Sequence, residues 1–91
     1  MTGTFTVISK PSCPYCDQAK ALLETKGLTY EVINLDVGQP RVQGEQYISK
    51  AELLQRVPGL RTVPYITHDE IRIGGFTELQ QYVQRLELRA A

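Results

Sequence analysis

The sequence has no excess charge of either sign, no long apolar run and no leader-like start. Ten basic and ten acidic side chains cancel, which argues against nucleic acid or an anionic membrane as a partner. No apolar run is long enough to span a bilayer. Residues 1–9, MTGTFTVIS, lack the basic and apolar segments of a signal peptide. We therefore expect a cytoplasmic protein, and its 91 residues are the size of a single domain, 1–91.

Cysteine is also scarce, and both copies stand together as Cys13 and Cys16 in the stretch KPSCPYC, residues 10–16. Structural disulfides are rare in the cytosol, and the loop that this pair would close is too small to constrain the unfolded chain much. A closed zinc site usually takes four ligands, whereas the sequence offers this pair and one histidine, His68, in a predicted turn. A redox-active pair is favoured over structural zinc, so no metal is expected.

Apolar periodicity and turn residues predict the element order β-α-β-α-β-β-α, an α/β fold. Strands are predicted at 4–9, 30–35, 63–67 and 70–73, the last two joined by a turn at His68 and Asp69. Helices are predicted from Cys13 to Lys26-Gly27, from a Ser49–Glu52 capping box to Pro58-Gly59, and onward from a Thr77–Gln80 capping box. Residues 36–47 are predicted to form a long loop, whose length indicates a functional role.

The cysteine pair falls at the start of the first predicted helix, with Cys13 at the N-cap and Pro14 in the first turn. A spacing of three residues stacks Cys16 over Cys13, within reach of a disulfide. The helix dipole and its unpaired N–H groups favour a thiolate at Cys13, and Lys10 adds positive charge. The pattern predicts a lowered pKa for Cys13, which attacks disulfides, and a buried Cys16, which resolves the mixed disulfide.

Three motifs in order along the chain resemble those of a dithiol glutaredoxin. They are CPYC at 13–16, Thr62-Val63-Pro64, in which the family has a cis proline, and Gly74-Gly75 before the last helix. The resemblance covers residues 5–87. It implies a thioredoxin fold with a four-stranded mixed sheet in the order 2-1-3-4, flanked by three helices, whose third strand is antiparallel to the first.

The resemblance also implies a groove for glutathione, the reductant and co-substrate of this family. Lys10 and Arg61 would face the glycine carboxylate, and Tyr15 would line the groove. The backbone of Val63, within the segment Thr62-Val63-Pro64, would pair with the cysteinyl peptide as a short added strand. Gly75 and Thr77 would hold the γ-glutamyl carboxylate at the N-terminus of the last helix, where anions bind.

The expected activity is glutathione-dependent reduction of protein disulfides and glutathionylated proteins by a monomer, with ribonucleotide reductase as one candidate client. Two alternatives stay open. The electrons could come from a thioredoxin reductase instead of glutathione. The chain could also be a non-enzymatic iron–sulfur carrier bridging two copies through Cys13, although Pro14 and Cys16 argue against it because monothiol relatives carry CGFS.

Two positions depart from the pattern of the family, and one segment is longer. Thr77 stands where many relatives carry Asp or Ser. The threonine still offers a hydroxyl and a backbone N–H to the ligand. Tyr65 stands where Gln often follows the proline, which predicts a changed groove wall. The 37–47 segment resembles the extended loops of some phage-encoded relatives and is a candidate partner-specific surface.

Overall fold

A computed structural model describes residues 3–90, in which five strands form one mixed sheet and three helices pack against it. The elements are β1 (Phe5–Ser9), α1 (Pro14–Thr25), β2 (Tyr30–Leu35), β3 (Gln46–Ile48), α2 (Lys50–Arg56), β4 (Tyr65–His68), β5 (Ile71–Gly74) and α3 (Phe76–Ala90). Within the described residues no helix is both long and apolar enough to cross a membrane.

The sheet corrects the predicted four strands in the order 2-1-3-4, since it has five strands in the order β3-β2-β1-β4-β5. The additional strand, β3, lies at the end of the predicted 36–47 loop and pairs in parallel with β2, with Leu35 opposite Ile48. Three residues are too few to show the alternation by which a strand is recognised in sequence. The antiparallel pairing of β4 with β1 is confirmed.

Contacts within the loop fix residues 36–45 ahead of β3. The Arg41 guanidinium lies 2.6 Å from the Asp36 carboxylate and 4.9 Å from the centre of the Tyr47 ring. The Tyr47 hydroxyl accepts a hydrogen bond from the Val42 N–H at 2.6 Å. The Asp36 N–H donates to the Ile48 carbonyl at 2.8 Å, which extends the β2–β3 pairing by one bond. The segment is therefore an ordered wall beside the sheet.

Two apolar clusters pack on opposite faces of the sheet. The first joins the sheet to α1 and α3, and its buried members are Phe5, Val7, Ala19, Leu23, Ile66, Leu79 and Val83. The second joins the sheet to α2, and its buried members are Ile8, Ile48, Leu53 and Tyr65. Tyr65 is thus a core residue on the α2 face, because alternate residues of a strand face opposite sides of its sheet. Its effect on the groove wall stays a prediction.

Helix ends follow the sequence signals in α1 and α2 and depart from them at the start of α3. At the end of α1, the Gly27 and Leu28 N–H groups donate to the carbonyls of Glu24 and Leu23, a Schellman ending that needs the positive φ of 67° at Gly27. The Ser49 hydroxyl accepts from the Glu52 N–H at 3.1 Å and caps α2 as predicted.

The predicted N-cap of the last helix at Thr77 is wrong, because α3 already begins at Phe76. Gly75 occupies the capping position, since its carbonyl accepts from the Leu79 N–H at 3.0 Å. The Glu78 carboxylate accepts from the Gly75 N–H at 2.8 Å. This is the glutamate half of a capping box, counted from Gly75 instead of Thr77.

His68 is the last residue of β4 and is buried, so its predicted place in the turn is wrong. Its ring stacks on Phe5 at 4.2 Å, and its Nδ1 lies 2.6 Å from the Tyr82 hydroxyl. The turn itself is formed by Asp69 and Glu70, with a φ of 54° at Asp69. His68 therefore ties β4 to α3 through Tyr82.

Candidate active site

The cysteine pair begins α1, with Cys13 at the N-cap and Pro14 as the first helical residue, as predicted. The two cysteines are joined as a disulfide, with their Cα atoms 5.2 Å apart. The Cys13 sulfur also accepts a hydrogen bond from the Cys16 N–H at 3.2 Å. A thiolate released at Cys13 would keep this donor and the positive end of the helix dipole beside it.

The two sulfurs differ in exposure, which matches the predicted division of roles. Cys16 is fully buried, and Cys13 keeps 7% of its surface accessible. Of the two buried cysteines, Cys13 is therefore the one with accessible surface left. Neither sulfur titrates in the disulfide state, so the lowered pKa of the Cys13 thiol stays a prediction for the dithiol state.

The second motif faces the first across this site. The Val63–Pro64 peptide bond is cis, as the resemblance implied. The Val63 carbonyl oxygen lies 3.7 Å from the Cys13 sulfur. Pro64 is buried and Val63 is half-buried, so the segment presents a fixed backbone edge beside the exposed sulfur. A peptide held against Val63 would place its own sulfur next to Cys13.

The third motif closes the other side of the same site. Gly75 approaches the cis-proline segment so closely that a Cβ on it would lie 3.7 Å from the Pro64 carbonyl and 3.3 Å from the Glu78 carboxylate. The Tyr15 ring, 62% exposed, lies 6.2 Å from the Phe76 ring, centre to centre. Exposed Thr77 is the second residue of α3. All three sequence motifs therefore meet near the Cys13 sulfur.

The remaining predicted ligand residues line a cavity of about 360 Å³ that adjoins this site. They are Lys10, Arg61, Thr62 and Val63. Lys10, Arg61 and Thr62 are exposed, so their polar groups can meet a ligand without prior burial. The structure thus brings the predicted residues to one region, with the cationic ones at the cavity and Tyr15, Gly75 and Thr77 near the start of α3.

Sequence reasoning missed several residues of this region. Val37, Lys50 and Leu54 line the same cavity, and Glu78 holds Gly75 at the start of α3. A glutamate three residues after Gly75 is a capping signal that the sequence contains, but the N-cap was assigned to Thr77 because of its hydroxyl. The other three carry no local signal, because they resemble any exposed residue of a loop or short helix.

Electrostatic shifts occur beside the site and at a distance from it. The Gly38 N–H and the Arg41 guanidinium both hydrogen bond to the Asp36 carboxylate, and they lower its pKa. The Tyr30 hydroxyl donates to the Glu24 carboxylate, and this bond raises the pKa of Tyr30. Among residues 3–90, no group of three or more His, Cys, Asp or Glu side chains is placed to hold a metal ion.

A helix-initiating cysteine pair opposite a cis-proline, on a mixed sheet between helices, is the arrangement of thiol–disulfide oxidoreductases with the thioredoxin fold. The sequence model of the family described as glutaredoxin matches residues 5–73. The chain belongs to the glutaredoxin family, as its three motifs indicated. Glutaredoxins are glutathione-dependent thiol–disulfide oxidoreductases, and Cys13 and Cys16 supply their dithiol motif.

Curated relatives agree with this assignment. The chain is 35% identical over 82 residues to a glutaredoxin of Neisseria meningitidis serogroup A, covering 89% of this chain and 86% of that protein. It is 34% identical over 73 residues to glutaredoxin 3 of Escherichia coli K12, covering 80% and 77%. It is 38% identical over 72 residues to glutaredoxin 1 of Rickettsia felis, covering 79% of this chain but only 64% of that protein.

Solved structures share the fold. Glutaredoxin 1 of Francisella tularensis, complexed with cacodylate, superposes with a TM-score of 0.66 at 22% identity, covering 93% of this chain and 96% of that one. The buckwheat glutaredoxin–glutathione complex superposes with a TM-score of 0.62 at 26% identity, covering 94% and 73%. The sheet flanked by three helices is therefore a thioredoxin fold, with β3 as an addition to the predicted strands.

Proposed function

We propose that this chain is a glutathione-dependent thiol–disulfide oxidoreductase that reduces protein disulfides and glutathione mixed disulfides. One observation carries the proposal: the two sulfurs at the start of α1 are unequal, with Cys13 accessible beside the Val63 backbone and Cys16 fully buried behind it. This is the geometry that a two-step exchange needs, because one thiol must meet the substrate and the other must wait within bonding distance.

The reductive half of the cycle transfers two electrons to the client. The Cys13 thiolate attacks one sulfur of the client disulfide, a Cys13–client bond forms, and the second client sulfur leaves as a thiolate that takes up a proton. The Cys16 thiolate then attacks the Cys13 sulfur. The Cys13–Cys16 disulfide forms, and the first client sulfur leaves as a thiolate. The Cys13–Cys16 disulfide of the structure supports this half-cycle, because it is the oxidised state in which the half-cycle would end.

Two molecules of glutathione restore the dithiol. The first attacks the exposed Cys13 sulfur, which releases the Cys16 thiolate and leaves glutathione bonded to Cys13. The second attacks the glutathione sulfur of that mixed disulfide, which releases the Cys13 thiolate and oxidised glutathione. A glutathionylated client enters at the mixed-disulfide stage, so its reduction does not need Cys16.

Glutathione is assigned to the groove between the three motifs. The Val63 backbone, fixed between Thr62 and Pro64, pairs with its cysteinyl peptide, while Lys10 and Arg61 meet its glycine carboxylate. The γ-glutamyl carboxylate binds at the start of α3, beside Thr77 and Tyr15. Because Glu78 already accepts from the Gly75 N–H, we assign this carboxylate to the next two N–H groups, and Gly75 serves by its close approach to Pro64.

The test is a glutathione-dependent assay on a glutathionylated peptide and on a protein disulfide, with wild type, Cys13→Ser and Cys16→Ser. We expect Cys13→Ser to be inactive on both substrates. Cys16→Ser should retain deglutathionylation and lose reduction of the protein disulfide, so each variant controls for the structural effect of the other. Substantial activity of Cys13→Ser would contradict the assignment of the nucleophile.

The same assay distinguishes the source of electrons. We expect turnover with glutathione, glutathione reductase and NADPH, and little with a thioredoxin reductase. The opposite result would reject glutathione dependence while leaving the exchange chemistry intact. We further propose that the chain works as a cytoplasmic monomer, with ribonucleotide reductase among its candidate clients.

A further inference from the structure

The cavity of about 360 Å³ extends past the residues assigned to glutathione, and its remaining part has no assigned ligand. We call this part the outer groove and define it by Leu35, Val37, Lys50, Leu53 and Leu54. Its inner neighbours are Lys10, Arg61, Thr62 and Val63, which the proposed function assigns to glutathione. Leu60 completes the lining. The outer groove is therefore continuous with the residues assigned to glutathione, among them Val63, whose carbonyl oxygen lies 3.7 Å from the Cys13 sulfur.

Strand register fixes the direction in which the outer groove lies. Ser9, just before Lys10, is opposite Asn34, and Leu35 is opposite Ile48 of β3. A path that leaves Val63, two residues before β4, crosses Lys10, the residue after β1, and then Leu35 at the end of β2. It reaches Lys50 two residues after the end of β3. With strands about 4.8 Å apart, three such steps measure about 14 Å.

Positive charge collects along this path. Four of the ten basic side chains form ion pairs within residues 3–90, namely Lys20, Lys26, Arg41 and Arg56. Lys10, Lys50 and Arg61 take part in no ion pair among those residues, although each is exposed. No acidic residue is among those lining the cavity. The groove therefore offers three uncompensated cations to an anionic ligand.

Apolar side chains are held open between these cations. Val37 is 57% exposed and Leu54 is 37% exposed, and both line the outer groove. The Val37 N–H donates to the Gln39 side chain at 2.8 Å, and the adjacent Asp36 is held by Arg41. Exposed apolar side chains on an ordered backbone, rimmed by charge, indicate a preformed contact surface for a protein.

We propose that the outer groove binds the protein client itself, through an acidic side chain next to an apolar one, in the segment that follows the client's reactive cysteine. The proposal rests on the proposed function, because it takes its chain direction from glutathione, whose glycine end points toward Lys10 and Arg61. An extended peptide advances about 3.4 Å per residue, so the acidic side chain that meets Lys50 lies about four residues after the cysteine.

The experiment uses three disulfide-linked peptide dimers that differ only at the fourth residue after cysteine, which is Glu, Gln or Lys, with Leu immediately before it. The full-length dithiol protein is mixed with each peptide in excess, without glutathione, and the rate of formation of the Cys13–Cys16 disulfide is measured. We expect the Glu peptide to react about 2- to 5-fold faster than the Gln peptide, the range of an exposed ion pair, and the Lys peptide to react most slowly.

Two variants locate the effect. Lys50→Gln should abolish most of the Glu-over-Gln preference, whereas Arg85→Gln, another exposed cation without an ion pair among the described residues, should preserve it. Leu54→Ala should slow the Glu peptide but not a matched peptide in which Ser replaces the Leu. Far-ultraviolet circular dichroism of each variant shows whether the fold is kept, and the preference is a ratio within one protein, so a small loss of stability cancels.

Three results would overturn the proposal: equal rates for the three peptides, an unchanged preference in Lys50→Gln, or dimers of the wild type that Lys50→Gln dissociates. The last result would make a second copy of the chain the occupant of the outer groove. These rates do not involve glutathione. A chain that proved to take its electrons from another donor would still show the preference, and a chain that used glutathione could lack it, so the two failures are distinguishable.

Discussion

The Glu78 carboxylate and the Gly75 N–H form a 2.8 Å hydrogen bond across the first turn of α3. The bond satisfies one of the N–H groups that a helix start leaves unpaired, and it puts a negative charge at the positive end of the helix dipole. It also holds Gly75 where the chain passes close to the Pro64 carbonyl. Glu78 is thus the residue that positions the third motif.

Removal of this cap should destabilise the protein. We expect Glu78→Ala to lower the free energy of unfolding by about 1 kcal/mol, from the lost hydrogen bond and charge. Urea unfolding gives the value. Gln80→Ala is the matched control, since Gln80 belonged to the capping box predicted at Thr77 and should change stability by less than about 0.5 kcal/mol. A larger loss for Gln80→Ala than for Glu78→Ala would contradict this N-terminus of α3.

A side chain at Gly74 should destabilise the protein more than one at a glycine with open space around it. Its φ is 119°, and a Cβ would lie 3.0 Å from the Glu78 carboxylate oxygen, so alanine meets both backbone strain and crowding. Gly44 has a φ of 90° but open space around it, so Gly44→Ala carries the strain alone. We expect Gly44→Ala to cost about 1 kcal/mol and Gly74→Ala clearly more, as measured by urea unfolding. Equal losses would show that Glu78 moves aside freely.

The Tyr30–Glu24 contact predicts a loss of stability in alkali. The hydrogen bond to Glu24 raises the pKa of Tyr30 in the folded state. The protonated Tyr30 therefore contributes its full stability below the unfolded pKa of about 10. That contribution is lost as pH rises through the higher folded pKa. The midpoint temperature of thermal unfolding, measured at a series of alkaline pH values, should therefore fall more steeply with pH for wild type than for Tyr30→Phe. Parallel curves for the two proteins would refute the shift.

Asp36 predicts the opposite dependence in acid. The Gly38 N–H and the Arg41 guanidinium lower the pKa of Asp36 in the folded state. The ionised carboxylate therefore contributes its full stability above the unfolded pKa of about 3.9. That stability is lost as pH falls through the folded pKa. We expect Asp36→Asn to flatten this part of the acid unfolding profile. Arg41→Gln should remove only part of the effect, because the Gly38 N–H is the larger cause; the reverse order would make the ion pair dominant.

Local signals predicted those parts of the fold that depend on local structure. Cys13 begins α1 and Ser49 begins α2 because each side chain caps the N–H groups that follow it, and nearby residues suffice to indicate this. Gly27 ends α1 by its positive φ. The meeting of the cysteine pair with Val63 spans 50 positions of sequence, and its prediction came from the family motifs.

The missed features depend on distant partners. The short strand β3 exists because Ile48 is buried in the core and lies opposite Leu35. A segment of three residues is too short to predict this pairing from sequence. The predicted start of α3 was wrong because two capping patterns overlapped, and the Glu78–Gly75 hydrogen bond forms the earlier of the two. The place of Lys50 and Leu54 in the cavity that Lys10 also lines could be recognised only from the fold.

The segment from Asp36 to β3 joins the sheet by pairing with β2 at one edge, while the thiol chemistry depends on α1 and the cis-proline turn. The two properties are therefore separately adjustable. Insertions or substitutions between Leu35 and Gln46 can reshape the surface presented to a client without moving either sulfur. A protein engineer could retarget the enzyme by exchanging this segment alone, with reactivity inherited unchanged from the rest of the chain.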